Sequence, residues 1–249
     1  MYSAVKSSTP TLTHVIPSQG RRGDVSAVAS LGDDVFFVRH NSQQVEVYDA
    51  ETLTLQRHIA VHGLGLSYGL VACTNNKCLY ASDWGDNNIH RVELSGSNAV
   101  KKWSVADRPV GLSVNIAHNL VVACWGAYKL QEYTTHGSLV REICLQSGAT
   151  NPWHAIQLST GDYVVSRNTP SGVVGEVGVD GQVIHSYGQS QTSHVGQMTY
   201  PAGLAVTKND DILVADVDND RILSINRSTG CVQELALSEI GRASCRERV

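Results

Sequence analysis

Gly65-Leu66-Ser67-Tyr68-Gly69 has the G-x-S-x-G spacing of a nucleophile elbow. That motif works where a strand ends on a strained turn and a helix follows, leaving the serine hydroxyl exposed. Here a loop precedes Ser67 and a strand pattern follows, so the stretch reads as the turn into a sheet. Asp216-x-Asp218-x-Asp220 opens like a calcium loop, but an EF-hand would need Gly at 221 and Glu at 227, where the chain has Arg221 and Arg227. Asp and Asn side chains that cap their own turn explain this spacing better. His58 and His62 are four apart but leave a strand, so they share no helical face, and no HExxH is present. The six cysteines form no CxxC pair. Cys73 and Cys78 flank a short turn, where a hairpin disulfide competes with two reduced, buried thiols. Arg22-Gly23-Asp24 and the sequon Asn226-Arg227-Ser228 would matter only in an extracellular protein. None of these stretches implies a catalytic group, a metal or a cofactor.

A more informative set recurs along the chain. Short apolar runs end at Arg39 (DVFFVR), Asp83 (CLYASD), Trp125 (LVVACW), Arg167 (DYVVSR) and Asp216 (DILVAD). These markers lie about 40–50 residues apart, a period typical of stacked repeat units. After each, an apolar strand restarts at Val45, Ile89, Leu130, Val173 and Ile222, one residue early in the Trp125 repeat. Before each, a small or ring residue opens a first strand: Ser26, Gly69, Gly111, His154 and Gly203.

The elements that must position these residues are clearest in Tyr200 to Leu235. Residues 201–206, 211–216, 221–225 and 231–235 read as four short strands separated by Asn-, Asp- and Gly-rich turns. The second strands are apolar on both faces, as in Leu120-Val121-Val122-Ala123. A strand with one wet face would alternate, so each four-stranded sheet must lie between two others. The expected fold is all-β: a propeller of four-stranded antiparallel blades, five of them visible. The first strands lie nearest the axis, where Gly permits close approach. Outer strands such as 53–57 and 100–103 are polar and should form the rim.

Pro201-Ala202-Gly203-Leu204-Ala205-Val206, followed by Asp211 to Asn226, resembles an NHL repeat. Cys78 to Val100 is closer to the YWTD repeat of lipoprotein-receptor propellers. Both resemblances imply a six-bladed propeller, and they cover roughly residues 25–237. Blade one lacks the Pro-x-Gly opening, and blade four carries His154 where the family has Gly. A packed, hydrogen-bonded histidine is the simpler reading of His154 than a ligand or catalytic role.

In a propeller the loops between second and third strands share one face with the loops between blades. Arg39, His40, Asp83, Trp84, Trp125, Arg167, Asn168 and Asp216 should therefore gather at the channel mouth, with Tyr68, Arg108, His154 and Tyr200 nearby. Aromatic and Arg side chains on a concave face suit binding, while the plainer reading makes Trp84 and Trp125 blade-packing residues. The NHL resemblance implies a non-enzymatic module whose partner is a protein or single-stranded RNA. The YWTD resemblance implies an extracellular ligand-binding propeller instead. A third class, the metal-dependent propeller lyase or hydrolase, would need several inward His, Asp, Asn or Glu side chains on the axis. The axial set here is Gly, Ser and His154.

Net charge is −4, so no global attraction draws the chain to nucleic acid. Hydrophobic residues make 42% and charged residues 17%, which fits many buried strands joined by short loops. Residues 1–20 lack a secretory pattern and no run is long enough to span a membrane, so a cytoplasmic location is expected. Residues 1–10 read as a disordered N-terminus and residues 11–238 as an incomplete propeller, with 12–16 a strand that completes the last blade. Residues 239–249, EIGRASCRERV, change composition abruptly and resemble a translated sequencing adapter. The expectation is that this tail is not natural protein and that the chain runs on into a sixth blade.

Overall fold

The computed structural model describes residues 25–146, 151–167, 172–188 and 196–235. The expectations for residues 1–24, Asn168 and 239–249 lie outside that set. Within it, the apolar runs form five four-stranded antiparallel sheets, each with its strands in sequence order. Blade one comprises β1 (Val25–Leu31), β2 (Asp34–Arg39), β3 (Gln44–Asp49) and β4 (Leu55–Ala60). Blade two comprises β5 (Leu70–Cys73), β6 (Cys78–Asp83), β7 (Asn88–Glu93) and β8 (Val100–Ser104). Blade three comprises β9 (Pro109–Val114), β10 (Leu120–Cys124), β11 (Lys129–Tyr133) and β12 (Leu139–Cys144). Blade four comprises β13 (Pro152–Gln157), β14 (Tyr163–Arg167), β15 (Val173–Val177) and β16 (Val183–Tyr187). Blade five comprises β17 (Pro201–Val206), β18 (Ile212–Asp216), β19 (Arg221–Ile225) and β20 (Val232–Leu235). The arrangement is a β-propeller.

Alternate residues of a second strand serve opposite neighbours, because a strand's side chains alternate faces. Leu120, Val122 and Cys124 of β10 pack with Tyr80 and Ile89 of blade two. Val121 and Ala123 pack with Ala155, Tyr163 and Val165 of blade four. The core is thus a set of seams between blades, and each fully buried aliphatic side chain contributes about 1.5–3 kcal/mol.

The first strands ring the axis. Gly111 is required there, since a Cβ would meet the Trp153 carbonyl oxygen at 2.5 Å and the His154 Cα at 2.7 Å. At Gly69 it would meet the Val110 carbonyl oxygen at 2.2 Å. The five residues that open the first strands, Ser26, Gly69, Gly111, His154 and Gly203, all line one axial cavity of about 380 Å³.

Two sequence assignments are corrected. The outer strand of blade one begins at Leu55, because the Asp49 carboxylate accepts from the Glu51 and Thr52 amides and winds 49–53 into a turn. In blade three the marker position belongs to Cys124: Asp83 pairs with Asn88, Cys124 with Lys129 and Asp216 with Arg221. Trp125 follows the strand and is the counterpart of Trp84, each donating its amide to the carbonyl of an incoming loop, at Arg108 and Leu66 respectively. A shift of one residue moves a side chain to the other face.

Candidate functional site

The realigned repeat puts His40, Trp84 and Trp125 at one position, directly after the second strand. Tyr68 and Trp153 share another, directly before the axial residues Gly69 and His154. These rings form a connected belt. Tyr68 stands at its centre, with ring centroids 4.6 Å from His40, 5.4 Å from Trp84 and 5.6 Å from Trp153. Trp84 leans on Trp125 at 5.5 Å, and Trp153 on Tyr200 at 5.5 Å. Most contacts are edge-to-face, the geometry that ring quadrupoles favour. The belt runs from blade one to blade five across the mouth, and every ring in it is half-buried.

Arg108 lies over this belt, its guanidinium carbon 5.5 Å from the Trp84 ring centre and 5.4 Å from that of Trp125. Asn87 fixes it there, its Oδ1 accepting the Arg108 amide at 2.8 Å. Arg108 has φ +52°, so its backbone is held in the left-handed region by these contacts.

The marker residues behave differently. Asp83 and Asp216 are buried and tie down the loop that enters their own blade. Asp83 accepts from the Gly65 amide at 3.0 Å and the Gly85 amide at 3.1 Å. Asp216 accepts from the Thr199 and Tyr200 amides, from Asn219 Nδ2 at 2.7 Å and from Arg221 Nε at 3.0 Å. Burial works to raise the Asp216 pKa, but these donors outweigh it and hold the group below the usual carboxylate range. Asp216 therefore organises the 216–220 turn. Arg39 is buried in a two-pronged bond to Glu46, which also accepts from the Tyr48 hydroxyl. Cys124 reaches Gln131, and burial pushes its thiol up to about 12. Arg167 is buried, with no acceptor for its Nε among the described residues.

His154 sits on the axis. Its Nδ1 accepts from the Leu204 amide at 2.9 Å, so its Nε2 donates to the Leu112 carbonyl at 3.0 Å. The ring is neutral and joins the first strands of blades three and five, and burial lowers its pKa.

Of the residues expected at the mouth, the structure joins His40, Tyr68, Trp84, Arg108, Trp125 and Tyr200 in one surface. It places Arg39, Asp83, Arg167 and Asp216 beneath, and His154 on the axis. Trp153 is a belt member that was not among the residues expected at the mouth. The signal for it was its position, one residue before the axis, as for Tyr68. Among the described residues no group of three or more His, Cys, Asp or Glu is placed to hold a metal ion. Cys73 and Cys78 face each other across β5 and β6 with free thiols.

The sequence profile of the NHL repeat matches residues 198–223, within the loop and strands of blade five. The chain carries an NHL repeat. No curated protein matches it. Among solved structures, this propeller is similar to virginiamycin B lyase from Staphylococcus aureus, at 13% identity and TM-score 0.65, covering 88% of this chain and 73% of that one. It is also similar to a protein of unknown function from Bacteroides caccae, at 12% identity and TM-score 0.67, covering 90% and 85%. A chain of the nidogen–laminin complex matches at 10% identity and TM-score 0.66, covering 86% and 81%. At these identities the likeness concerns the fold alone. No helix among the described residues is long and apolar enough to cross a membrane.

Proposed function

We propose that this propeller is a non-enzymatic recognition module whose partner is a protein, held at the channel mouth. The observation that carries the reading is the unbroken belt of Tyr68, Trp84, Trp125, Trp153 and Tyr200 with Arg108 stacked on it. Large, rigid rings and Arg are the side chains that dominate binding energy at protein interfaces. Charge favours a protein over single-stranded RNA. Across the described mouth loops Arg108 is the one exposed cation, set among exposed Asp86, Asp107, Asp218 and Asp220. RNA needs a basic groove for its phosphates beside the stacking rings.

The chemistry of the axis points the same way. Among the described residues that line the axial cavity, the one histidine, His154, spends both ring nitrogens on backbone groups. The lyase among the structural neighbours supports only a shared scaffold, and a fold does not carry its function with it.

The test is capture of partners by the whole chain, beside Trp84→Ala and with nuclease treatment. Trp84→Ala should lose at least about tenfold in affinity for the captured protein, the scale of a buried aromatic anchor, while its unfolding midpoint stays close to wild type. Unchanged capture by the folded variant would overturn the reading. Loss of capture on nuclease treatment would replace the protein with RNA.

A further inference from the structure

At four of the five marker positions the side chain is matched within its own blade. Arg39 binds Glu46, Cys124 reaches Gln131, and Asp216 binds Arg221. Asp83 binds the Gly65 amide and lies 3.6 Å from His90. Glu46, His90 and Gln131 all occupy one place on the third strand, paired across from Phe37, Ala81 and Val122. In blade four that place falls to Gly175, which pairs across from Val165. Arg167 therefore meets no side chain where its counterparts meet a partner.

Arg167 is 7% exposed, and its Nε is buried with no acceptor among the described residues. The glutamates of blades three and four are engaged with other side chains. Glu132 binds Arg141 and Asn115, Glu142 binds Lys129 and Gln131, and Glu176 binds Arg227. The stretches Ser147-Gly148-Ala149-Thr150 and Asn168-Thr169-Pro170-Ser171 contain no Asp or Glu. Buried charges are ordinarily paired, because an uncompensated one is costly. In agreement, burial alone acts on Arg167, drawing its pKa below the ordinary Arg value with no carboxylate to offset it.

A second unsatisfied group marks the same corner. Asn151 immediately precedes Pro152, the residue paired across from Arg167, and its Oδ1 is buried without a partner among the described residues. A half-turn of the amide presents Nδ2 in its place.

We propose that the mouth end of blade four holds a small dissolved oxyanion, a phosphate or a carboxylate, on the guanidinium of Arg167 with the Asn151 amide as a second donor. Arg suits this task because its planar fork matches two oxygens of one anion. The burial of Arg167 restricts the ligand to something small. No bond is made or broken. The anion acts as the counter-charge that Glu46 supplies to Arg39 in blade one.

Thermal unfolding of the whole chain is measured in inorganic phosphate and in acetate, each against chloride at matched ionic strength. At about ten times its Kd, the bound anion should raise the wild-type midpoint by about 3–5 °C. Arg167→Gln should show no anion-specific rise. If that variant fails to fold, Arg167→Lys keeps a cation but loses the fork, and its rise should be clearly smaller. A rise with phosphate but not acetate assigns the site to phosphate; the reverse assigns it to carboxylate. No rise of wild type over chloride with either anion, or an equal rise in the variant, overturns the proposal.

Discussion

At His154 both ring nitrogens are committed to backbone groups of two other blades, and that fixes how the protein responds to acid. The neutral ring suits the site because Nδ1 must accept from the Leu204 amide. Protonation would set an N–H against an N–H at half-buried His154. His90 is fully buried and its pKa too is lowered, burial outweighing the Asp83 carboxylate 3.6 Å away. An unfolded histidine titrates near about 6.5. Both folded values lie lower, so below about pH 6.5 the unfolded chain binds more protons than the folded one. Stability is therefore full above that pH and declines as pH falls through the window down to the folded values. Urea unfolding at pH 7.5, 6.5 and 5.5 should show this decline. In His154→Gln the stability at pH 7.5 should drop while the dependence between 7.5 and 5.5 becomes shallower, the remainder being that of His90. An unchanged slope would remove His154 as a source of the acid sensitivity.

Among the elements, the turns after the second strands are held from beneath by a carboxylate, in blade two by Asp83 and in blade five by Asp216. The two blades solve one problem alike: a loop arriving from the previous blade brings amides that no strand satisfies, and a buried carboxylate accepts them. Asp216→Ala would strand the Thr199 and Tyr200 amides and leave the largely buried Arg221 without this partner. The expected cost is about 3–5 kcal/mol, read as a lower denaturation midpoint; a loss below about 1 kcal/mol, the range of an exposed ion pair, would show that the tether is dispensable. The repeat period made the position of these Asp residues legible in the sequence. Their direction was not legible, because it depends on where the incoming loop places its amides. The slip at Trp125 has a similar origin. Nothing in Ala-Cys-Trp-Gly shows that the strand ends at Cys124. In blade four the count looked regular, yet the strand register is one residue longer, with Val174 paired to Ser166 as Ile89 is to Ser82.

For the molecule as a whole, the axis was more legible in the repeats than the mouth. Small residues at a fixed place in each repeat report a crowding that every blade shares, and the structure brings all five to one cavity. The belt is built from residues that differ between blades, so periodicity located its loops but not Trp153 or the stacking of Arg108. The ring is also tied by hydroxyls that periodicity alone does not reveal. Ser82 Oγ accepts the Gly69 amide within blade two and donates to the Val110 carbonyl of blade three, each at 2.8 Å. Ser166 Oγ does the same in blade four, accepting the His154 amide at 3.2 Å and donating to the Ala202 carbonyl of blade five at 2.7 Å. Each serine thus crosses one seam, and the two seams share no side chain in their apolar clusters. Ser82→Ala and Ser166→Ala should each cost about 1–2 kcal/mol, the loss of one bond together with an amide left buried and unpaired. Sites this independent should add within about 0.5 kcal/mol in the double variant. Denaturant unfolding of the four proteins measures it. A double-variant loss well beyond the sum would mean that the seams fail together, and that the blades hold one another through the axis rather than pair by pair.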